Sequence, residues 1–212
     1  MFKRYWKLFV IFWSAILLCL AGAFLFFWLI AEGKLGFMPT FEELENPNNR
    51  FASEVYFEDG PVMNKYFEKE NRKYTEYKEI PQTVIDALIA TEDVRFYDHS
   101  GVDVRGLFRV AKGLLTANTS AGGGSTISQQ LAKMLFPREA DLNVFELAIR
   151  KFREWVIAVR LEKSYTKEEI LTMYLNKYDF LNLAVGISSA ADIYFQSSLD
   201  SLKIEQAAML IG

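Results

Sequence analysis

Two adjacent carboxylates, Glu92 and Asp93, are the first candidates for chemistry because they end an apolar run that begins at Val84. The stretch reads Thr91-Glu-Asp-Val-Arg-Phe-Tyr-Asp-His-Ser-Gly101 and contains the only histidine of the chain. A carboxylate that leaves an apolar helix for a loop is desolvated, and desolvation raises a carboxyl pKa toward the range of a general acid or base. The alternative is an acidic last turn, which would oppose the helix dipole. The stretch alone leaves both interpretations open.

A glycine-rich segment, Gly122-Gly-Gly-Ser-Thr-Ile-Ser-Gln-Gln-Leu-Ala-Lys133, supplies a second set of polar side chains. Its glycines let the backbone approach a ligand closely. Ser125 or Thr126 is expected to cap the helix that follows, and the free N–H groups of a helix start can bind an anion. The small, polar residues 117–121 before it predict a mobile loop. The segment is not a Walker loop, because no Gly-Lys-Ser/Thr follows the glycines.

The longest helical pattern runs from Leu142 to Lys163 and has a charged centre, Arg150-Lys-Phe-Arg-Glu154. Helical spacing puts Lys151 and Glu154 on one face at i, i+3, and it brings Arg150 within reach of Glu154 at i, i+4. Such charges can form a binding site. The alternative is a solvated ladder of salt bridges, which is the usual fate of surface charges.

The N-terminal segment Leu8–Ala31 contains no charged residue and is long enough to cross a bilayer. Lys3, Arg4 and Lys7 precede it, so the positive-inside rule predicts a cytoplasmic N-terminus. A cleaved signal peptide is the alternative. It is disfavoured because a long apolar stretch still follows the small-residue site Ala21-Gly-Ala23. We therefore expect an uncleaved anchor.

Composition excludes two classes of protein. The net charge of −3 argues against a nucleic-acid-binding protein, which would usually be basic. The single cysteine excludes an intrachain disulfide and a cysteine-rich metal site.

The remaining patterns predict structural elements. Residues 32–78 are interpreted as a juxtamembrane linker with a hairpin, in which Ser53–Glu58 and Val62–Phe67 flank Asp59-Gly60. Pro81 is expected at the first position of the helix that delivers Glu92. Asp103, the Asn143–Glu146 pair and the Thr166–Glu169 segment are expected to cap three later helices.

Four motifs occur in a fixed order, and together they carry a resemblance. They are Glu92-Asp-x-x-Phe-x-x-His-x-Gly101, Gly123-Gly-Ser-Thr-Ile-Ser-Gln-Gln130, Arg150-Lys-x-x-Glu154 and Ile170-Leu-x-x-Tyr-Leu-Asn176. From about Glu79 onward the chain resembles peptidoglycan glycosyltransferase family 51, the polymerase domain of class A penicillin-binding proteins. It departs from the family pattern in the fifth motif, where Ser188 stands in place of a glutamate.

The resemblance implies a mainly α, lysozyme-like fold of two lobes around a long cleft, after a short β-hairpin segment and on one N-terminal transmembrane helix. The expected organisation is a cytoplasmic basic tail at 1–7, an anchor at 8–31, the linker at 32–78 and a C-terminally incomplete glycosyltransferase domain at 79–212.

The activity implied is polymerisation of lipid II, with inverting transfer from undecaprenyl diphosphate to a sugar 4-hydroxyl to form β-1,4 links. Glu92 would act as the catalytic base, and Glu154, the other catalytic residue, would orient the cations or bind a divalent ion with the diphosphate. Arg138 is a further expected contact. The resemblance implies these substrate-binding residues: Asp93, Phe96, His99, Gly124, Ser125, Thr126, Gln129, Gln130, Lys133, Arg150, Lys151 and Asn176.

The expected partners are lipid II, the growing glycan strand and the cytoplasmic (inner) membrane, with the catalytic domain on its outer face. A transpeptidase domain is expected to follow in the full-length protein. No all-protein metal site is expected, but Mg²⁺ or Mn²⁺ could accompany the diphosphate. Two alternatives stay open: a membrane-anchored muramidase on the same fold, and a non-catalytic scaffold of a wall-synthesis complex.

Overall fold

A computed structural model describes residues 2–36, 38–40, 53–56, 62–66, 74–116, 123–136 and 143–212 of the protein. Three predictions lie outside the described residues: the turn at Asp59-Gly60, the mobile loop at 117–121 and the contact by Arg138.

The described part of the chain is mainly helical, which confirms the predicted fold class. This architecture is consistent with the lysozyme-like domain that the resemblance implies. Short 3-10 turns occur at Tyr77–Glu79, Phe96–Asp98 and Leu199–Ser201. The elements are α1 (Phe2–Ala31), β1 (Ser53–Tyr56), β2 (Val62–Tyr66), α2 (Gln82–Glu92), α3 (Val104–Leu115), α4 (Ile127–Leu135), α5 (Val144–Ser164), α6 (Lys167–Lys177), α7 (Ile187–Phe195) and α8 (Ile204–Ile211).

Strands β1 and β2 follow α1 and precede α2 in the chain, and they pair antiparallel. Ser53 lies opposite Tyr66, and Glu54 lies opposite Lys65. The register shifts after Val55, which is typical of a β-bulge.

Local capping chemistry sets the helix starts. Asn143 and Glu146 form a reciprocal capping box at the start of α5, and Thr166 and Glu169 form another at the start of α6. Each box satisfies two backbone N–H groups that a helix start leaves unpaired. Pro81 is the N-cap of α2 and so lies one residue earlier than predicted.

Helix α4 lies at the centre of the helical domain, where it packs against α5 and α6, while α2 packs against α8. Each of these helices buries large apolar side chains in this core except α8, which buries only the small side chain of Ala207. The largest fully buried side chains of the helical domain are Ile85, Leu88, Phe96, Ile127, Leu131, Leu161, Ile170, Leu171, Tyr174 and Leu175.

Gly101 brings the loop after α2 directly onto α5. Its φ of +92° lies in the left-handed region, which favours glycine. A Cβ at this position would lie 2.8 Å from the carbonyl carbon and oxygen of Ala158. The backbone of the Glu92 loop and that of α5 therefore touch without an intervening side chain.

Helix α1 is the one described helix that is long and apolar enough to cross a membrane, over Tyr5–Ala31. Its last turns pack against α5, where the rings of Phe26 and Phe27 meet that of Phe152 edge-on at 5.3 and 5.6 Å between centroids. Arg160 of α5 donates to the carbonyl oxygen of Ala31 at 2.8 Å, which satisfies a free carbonyl at the helix end.

Candidate active site

Glu92 is the last residue of α2 and faces a cleft that the glycine-rich segment closes from the other side. The wall opposite Glu92 consists of Gly123, Gly124, Ser125 and Thr126. Glycine suits this wall because Gly124 packs against α3, where an added Cβ would lie 3.2 Å from Val110. The structure thus brings the first two sequence motifs together around one cleft.

A hydrogen-bond chain holds the carboxylate of Glu92. The side-chain amide of Gln130 donates from Nε2 to Glu92 Oε2 at 2.6 Å. The hydroxyl of Tyr174 donates to Gln130 Oε1 at 3.1 Å. One oxygen of Glu92 is therefore fixed by α4, and the cleft is open to the carboxylate.

Asp93 connects its own loop to the start of α4. Its carboxylate accepts from the Ile127 N–H at 3.1 Å and lies 3.0 Å from Nε2 of His99. The Gly101 N–H donates to Nδ1 of His99 at 3.2 Å, so a neutral His99 carries its proton on Nε2 and donates it to Asp93. Both ring nitrogens of His99 are used within the protein. The bonding of Asp93 and His99 supports a structural role at the cleft wall.

Thr126, and not Ser125, caps α4. Its hydroxyl oxygen accepts from the Gln129 N–H at 3.2 Å and donates to the Gly101 carbonyl at 2.7 Å. The N–H groups of Ile127 and Gln129 are therefore already bonded to protein oxygens. The expectation that these helix-start N–H groups bind an anion is wrong for both of them.

Gln129, Phe96 and Asn176 are buried and do not line the cleft, and their role as substrate-binding residues stays a prediction. Gln129 is 1% exposed and donates to the carbonyl of Gly101. Phe96 is fully buried in the core. Asn176 bonds the backbone N–H and carbonyl of Thr75 at 2.8 Å each, and so joins α6 to the segment before α2.

Lys151 brings α5 into the site. Its ammonium donates to the Ser125 hydroxyl at 2.8 Å and pairs with Glu154 Oε2 at 3.0 Å. The predicted i, i+3 pair is confirmed. The predicted Arg150–Glu154 pair is not found among the described residues, since Lys151 occupies the carboxylate. Lys151 is 40% exposed, so it remains accessible to an anion in the cleft.

Lys133 follows Gln130 by three residues on α4 and is exposed. Among the described residues no carboxylate pairs with Lys133, and none pairs with Arg150. Both cations lie on helices whose side chains bond to cleft residues, Gln130 to Glu92 and Lys151 to Ser125. Their role as substrate contacts stays a prediction.

A third wall of the cleft carries charges that the sequence did not indicate. Arg95 pairs with Asp103, which also accepts from the Gly106 N–H as the predicted cap of α3. Burial raises the pKa of the Asp103 carboxyl, but the bonds from Arg95 and Gly106 outweigh it and hold that pKa below its ordinary value. Arg109 lines the same wall and reaches the Gly123 carbonyl at 3.4 Å. The sequence did not single out Arg109 as a cleft residue, because α3 also carries other basic residues.

Lys167 of α6 holds the loop that follows Glu92 through hydrogen bonds to its backbone. Its ammonium donates to the carbonyls of Phe96 and His99 at 2.6 and 2.8 Å and pairs with Glu162 at 2.8 Å. Glu162 in turn accepts from the Ser128 hydroxyl. All three donors of the ammonium are thus engaged within the protein. Sequence reasoning missed this role, because the partners lie on a distant loop.

Replacing Lys167 by methionine is expected to lower the free energy of unfolding by about 2–4 kcal/mol, because Glu162 would keep a buried, unpaired charge. Chemical denaturation measures the loss. Lys163→Met, at an exposed position one residue from Glu162, is the matched control and should change stability by less than about 0.5 kcal/mol. Adding Glu162→Gln to Lys167→Met should restore part of the loss. Equal stability of the two lysine variants would contradict a supporting role for Lys167.

The described residues do not form a metal site. No group of three His, Cys, Asp or Glu side chains in the described ranges could hold a metal ion. Glu154, the acidic residue nearest to the cleft lysine, is already paired with it.

The fold and the site define a mainly helical domain in which a carboxylate, Glu92, and a lysine, Lys151, are held at one cleft. A family model described as Transglycosylase matches residues 59–212, and the chain therefore belongs to the transglycosylase family.

Three relatives are similar over most of the chain. Penicillin-binding protein 1A of Escherichia coli K12 is 37% identical over 82% of this chain and 20% of its own length. Proteins of the same name from Neisseria flavescens and Neisseria gonorrhoeae are 37% and 36% identical, each over 82% of this chain and 21% of its own length. The chain thus spans about a fifth of the length of these relatives.

Proposed function

We propose that this protein polymerises the glycan strands of peptidoglycan from lipid II. The observation that carries the proposal is that a candidate base and a candidate diphosphate-binding cation lie at the same cleft. Glu92 is held by Gln130 on one side, and Lys151 reaches Ser125 at the edge of the glycine-rich wall on the other. Family membership supports the same reaction class.

In the proposed reaction, Glu92 accepts the proton of a sugar 4-hydroxyl as its oxygen attacks the anomeric carbon of the growing strand. The bond between that carbon and the diphosphate oxygen breaks, and its electron pair leaves with the undecaprenyl diphosphate. Attack from the opposite face inverts the α-linked donor to a β-1,4 link.

Cationic side chains stabilise the negative charge that develops on the leaving diphosphate. Lys151 is the central one because it is accessible and is held by Glu154. Lys133 and Arg150 are the further candidates. Since two helix-start N–H groups of α4 are used internally, side chains carry this task rather than the α4 dipole alone.

The muramidase alternative needs two carboxylates that act on opposite sides of a glycosidic bond. Glu154 would have to act while it is bonded to Lys151 at 3.0 Å, an arrangement that suits an anion-binding lysine better. A neutral glycan bond would not need this lysine.

Incubation of the full-length protein with labelled lipid II, followed by sizing of the glycan, tests the proposal. Polymer of increasing length supports a polymerase. Shortened strands from preformed glycan would indicate a muramidase, and no turnover of either substrate would indicate a scaffold. Repeating the assay with EDTA and with added Mg²⁺ or Mn²⁺ tests the predicted metal dependence.

We further propose that α1 anchors the protein in the cytoplasmic membrane, with residues 1–7 in the cytoplasm and the helical domain on the outer face. The apolar span supports the anchor, and the basic residues before it support the orientation. The relatives support a transpeptidase domain in the full-length protein.

Removal of residues 1–31 is expected to lower turnover of vesicle-bound lipid II more than turnover of a short-chain, soluble analogue. Local concentration at the bilayer is lost in the first case only. Because Arg160 and Phe152 would also lose their α1 partners, the thermal stability of the shortened protein must be measured alongside. Equal loss on both substrates would contradict the membrane role.

A further inference from the structure

We propose that Tyr174 is a positioning residue that fixes the amide of Gln130 and, through it, keeps Glu92 oriented as the base. This inference rests on the proposed function. Neither the motif resemblance nor the family match assigns a role to this hydroxyl.

Two successive hydrogen bonds form a relay from Tyr174 in the core, through Gln130, to Glu92 at the cleft. Tyr174 is 2% exposed and lies on α6. Its hydroxyl donates to Gln130 Oε1 at 3.1 Å, and Gln130 Nε2 donates to Glu92 Oε2 at 2.6 Å. Three helices, α6, α4 and α2, each contribute one member.

The relay decides which end of the Gln130 amide faces Glu92. A phenol that keeps its proton donates to Oε1 and so turns the NH₂ group toward the carboxylate. The reversed amide would place Oε1 beside a carboxylate oxygen, where the two acceptors repel each other. Burial, and then the negative charge of Glu92, raise the pKa of the Tyr174 phenol well above its ordinary value. The phenol therefore remains a donor at every pH at which the enzyme would work.

Packing holds the Tyr174 ring in place. The ring stacks on that of Tyr178, with centroids 5.4 Å apart and planes 24° apart. Tyr178 in turn meets Phe180 edge-on at 4.9 Å. Removing the hydroxyl alone should therefore leave the ring where it is, and the effect of the change should be confined to Gln130.

The test is Tyr174→Phe in the full-length protein, with Tyr178→Phe as the matched control. Tyr178 belongs to the same aromatic stack, and its hydroxyl has no partner among the described residues. Tyr174→Phe loses the hydrogen bond to Gln130 Oε1, which should reduce kcat roughly 5- to 30-fold and leave KM within about twofold. The acid limb of the pH–kcat profile should move to higher pH, because the ionised base loses support. Tyr178→Phe should change neither quantity.

A double-mutant cycle identifies the route of the effect. If Tyr174 acts through Gln130, adding Tyr174→Phe to Gln130→Ala should cause no further loss of kcat. Additive losses would overturn the relay. So would a Tyr174→Phe enzyme with kcat within about twofold of wild type.

A second readout does not depend on activity. In protein labelled with ¹⁵N-glutamine, the Gln130 side-chain amide should be protected from exchange in wild type and in Tyr178→Phe, and it should lose protection in Tyr174→Phe. Unchanged protection in Tyr174→Phe would overturn the inference even in an active enzyme. Wild-type protein that protects this amide but makes no polymer would refute the proposed function and leave the relay standing.

Discussion

Glu92→Gln is expected to abolish glycan polymerisation while substrate binding persists. Glutamine keeps the shape of the side chain, and its oxygen can still accept from Gln130, but it cannot take the proton of the attacking hydroxyl. Removal of a general base typically costs ~10²–10⁴-fold in rate. Initial rates with labelled lipid II give the catalytic loss, and equilibrium binding of a lipid-diphosphate analogue gives the affinity.

The matched control for this substitution is Asp86→Asn. Asp86 lies on the same helix, where its carboxylate accepts from Gln82 at an exposed site. Its replacement should leave turnover within about twofold of wild type. Glu92→Gln turnover within about threefold of wild type would remove Glu92 from the role of base.

Lys151→Ala is expected to produce the second large effect, a loss of roughly 10- to 150-fold in kcat/KM. This range corresponds to the ~1.5–3 kcal/mol of a charge-assisted hydrogen bond to phosphate. Lys133→Ala should act in the same direction. Lys163→Ala is the control, because Lys163 is exposed on the same helix as Lys151 and belongs to no motif.

The salt-ladder interpretation makes a different prediction for the same variants. If Lys151 served only to neutralise Glu154, the double variant Lys151→Ala/Glu154→Gln would recover the activity lost by Lys151→Ala. A diphosphate-binding lysine predicts no such recovery. Equal losses from Lys133→Ala, Lys151→Ala and Lys163→Ala would also favour the ladder.

Features set by neighbouring residues were predicted well from the sequence. The capping boxes at Asn143–Glu146 and Thr166–Glu169 depend on side chains three residues apart, and both are present. The Lys151–Glu154 pair follows from the helical repeat in the same way. In each case the partner is fixed by the helix itself, so no tertiary information is needed.

Features that join distant segments could not be predicted. Asn176 pairs with Thr75 across 101 positions of sequence, and Lys167 reaches Phe96 across 71. The motifs indicated that such residues matter but not whether they face the substrate or the core. The structure separates the two groups. Glu92, Ser125 and Lys151 meet at the cleft, whereas Phe96, Gln129 and Asn176 are buried among other protein groups.

Helix α5 carries both the cleft lysine and the contact with α1. Lys151 and Arg160 lie ~14 Å apart along its axis, at ~1.5 Å per residue. A transmembrane helix that is longer than the hydrocarbon thickness can adapt to the bilayer by tilting. Here Arg160 and Phe152 fasten the end of α1 to α5, so a tilt of α1 would rotate the cleft by the same angle. If α1 spans the membrane as proposed, bilayer thickness would set the angle at which the proposed lipid-linked sugar meets Glu92.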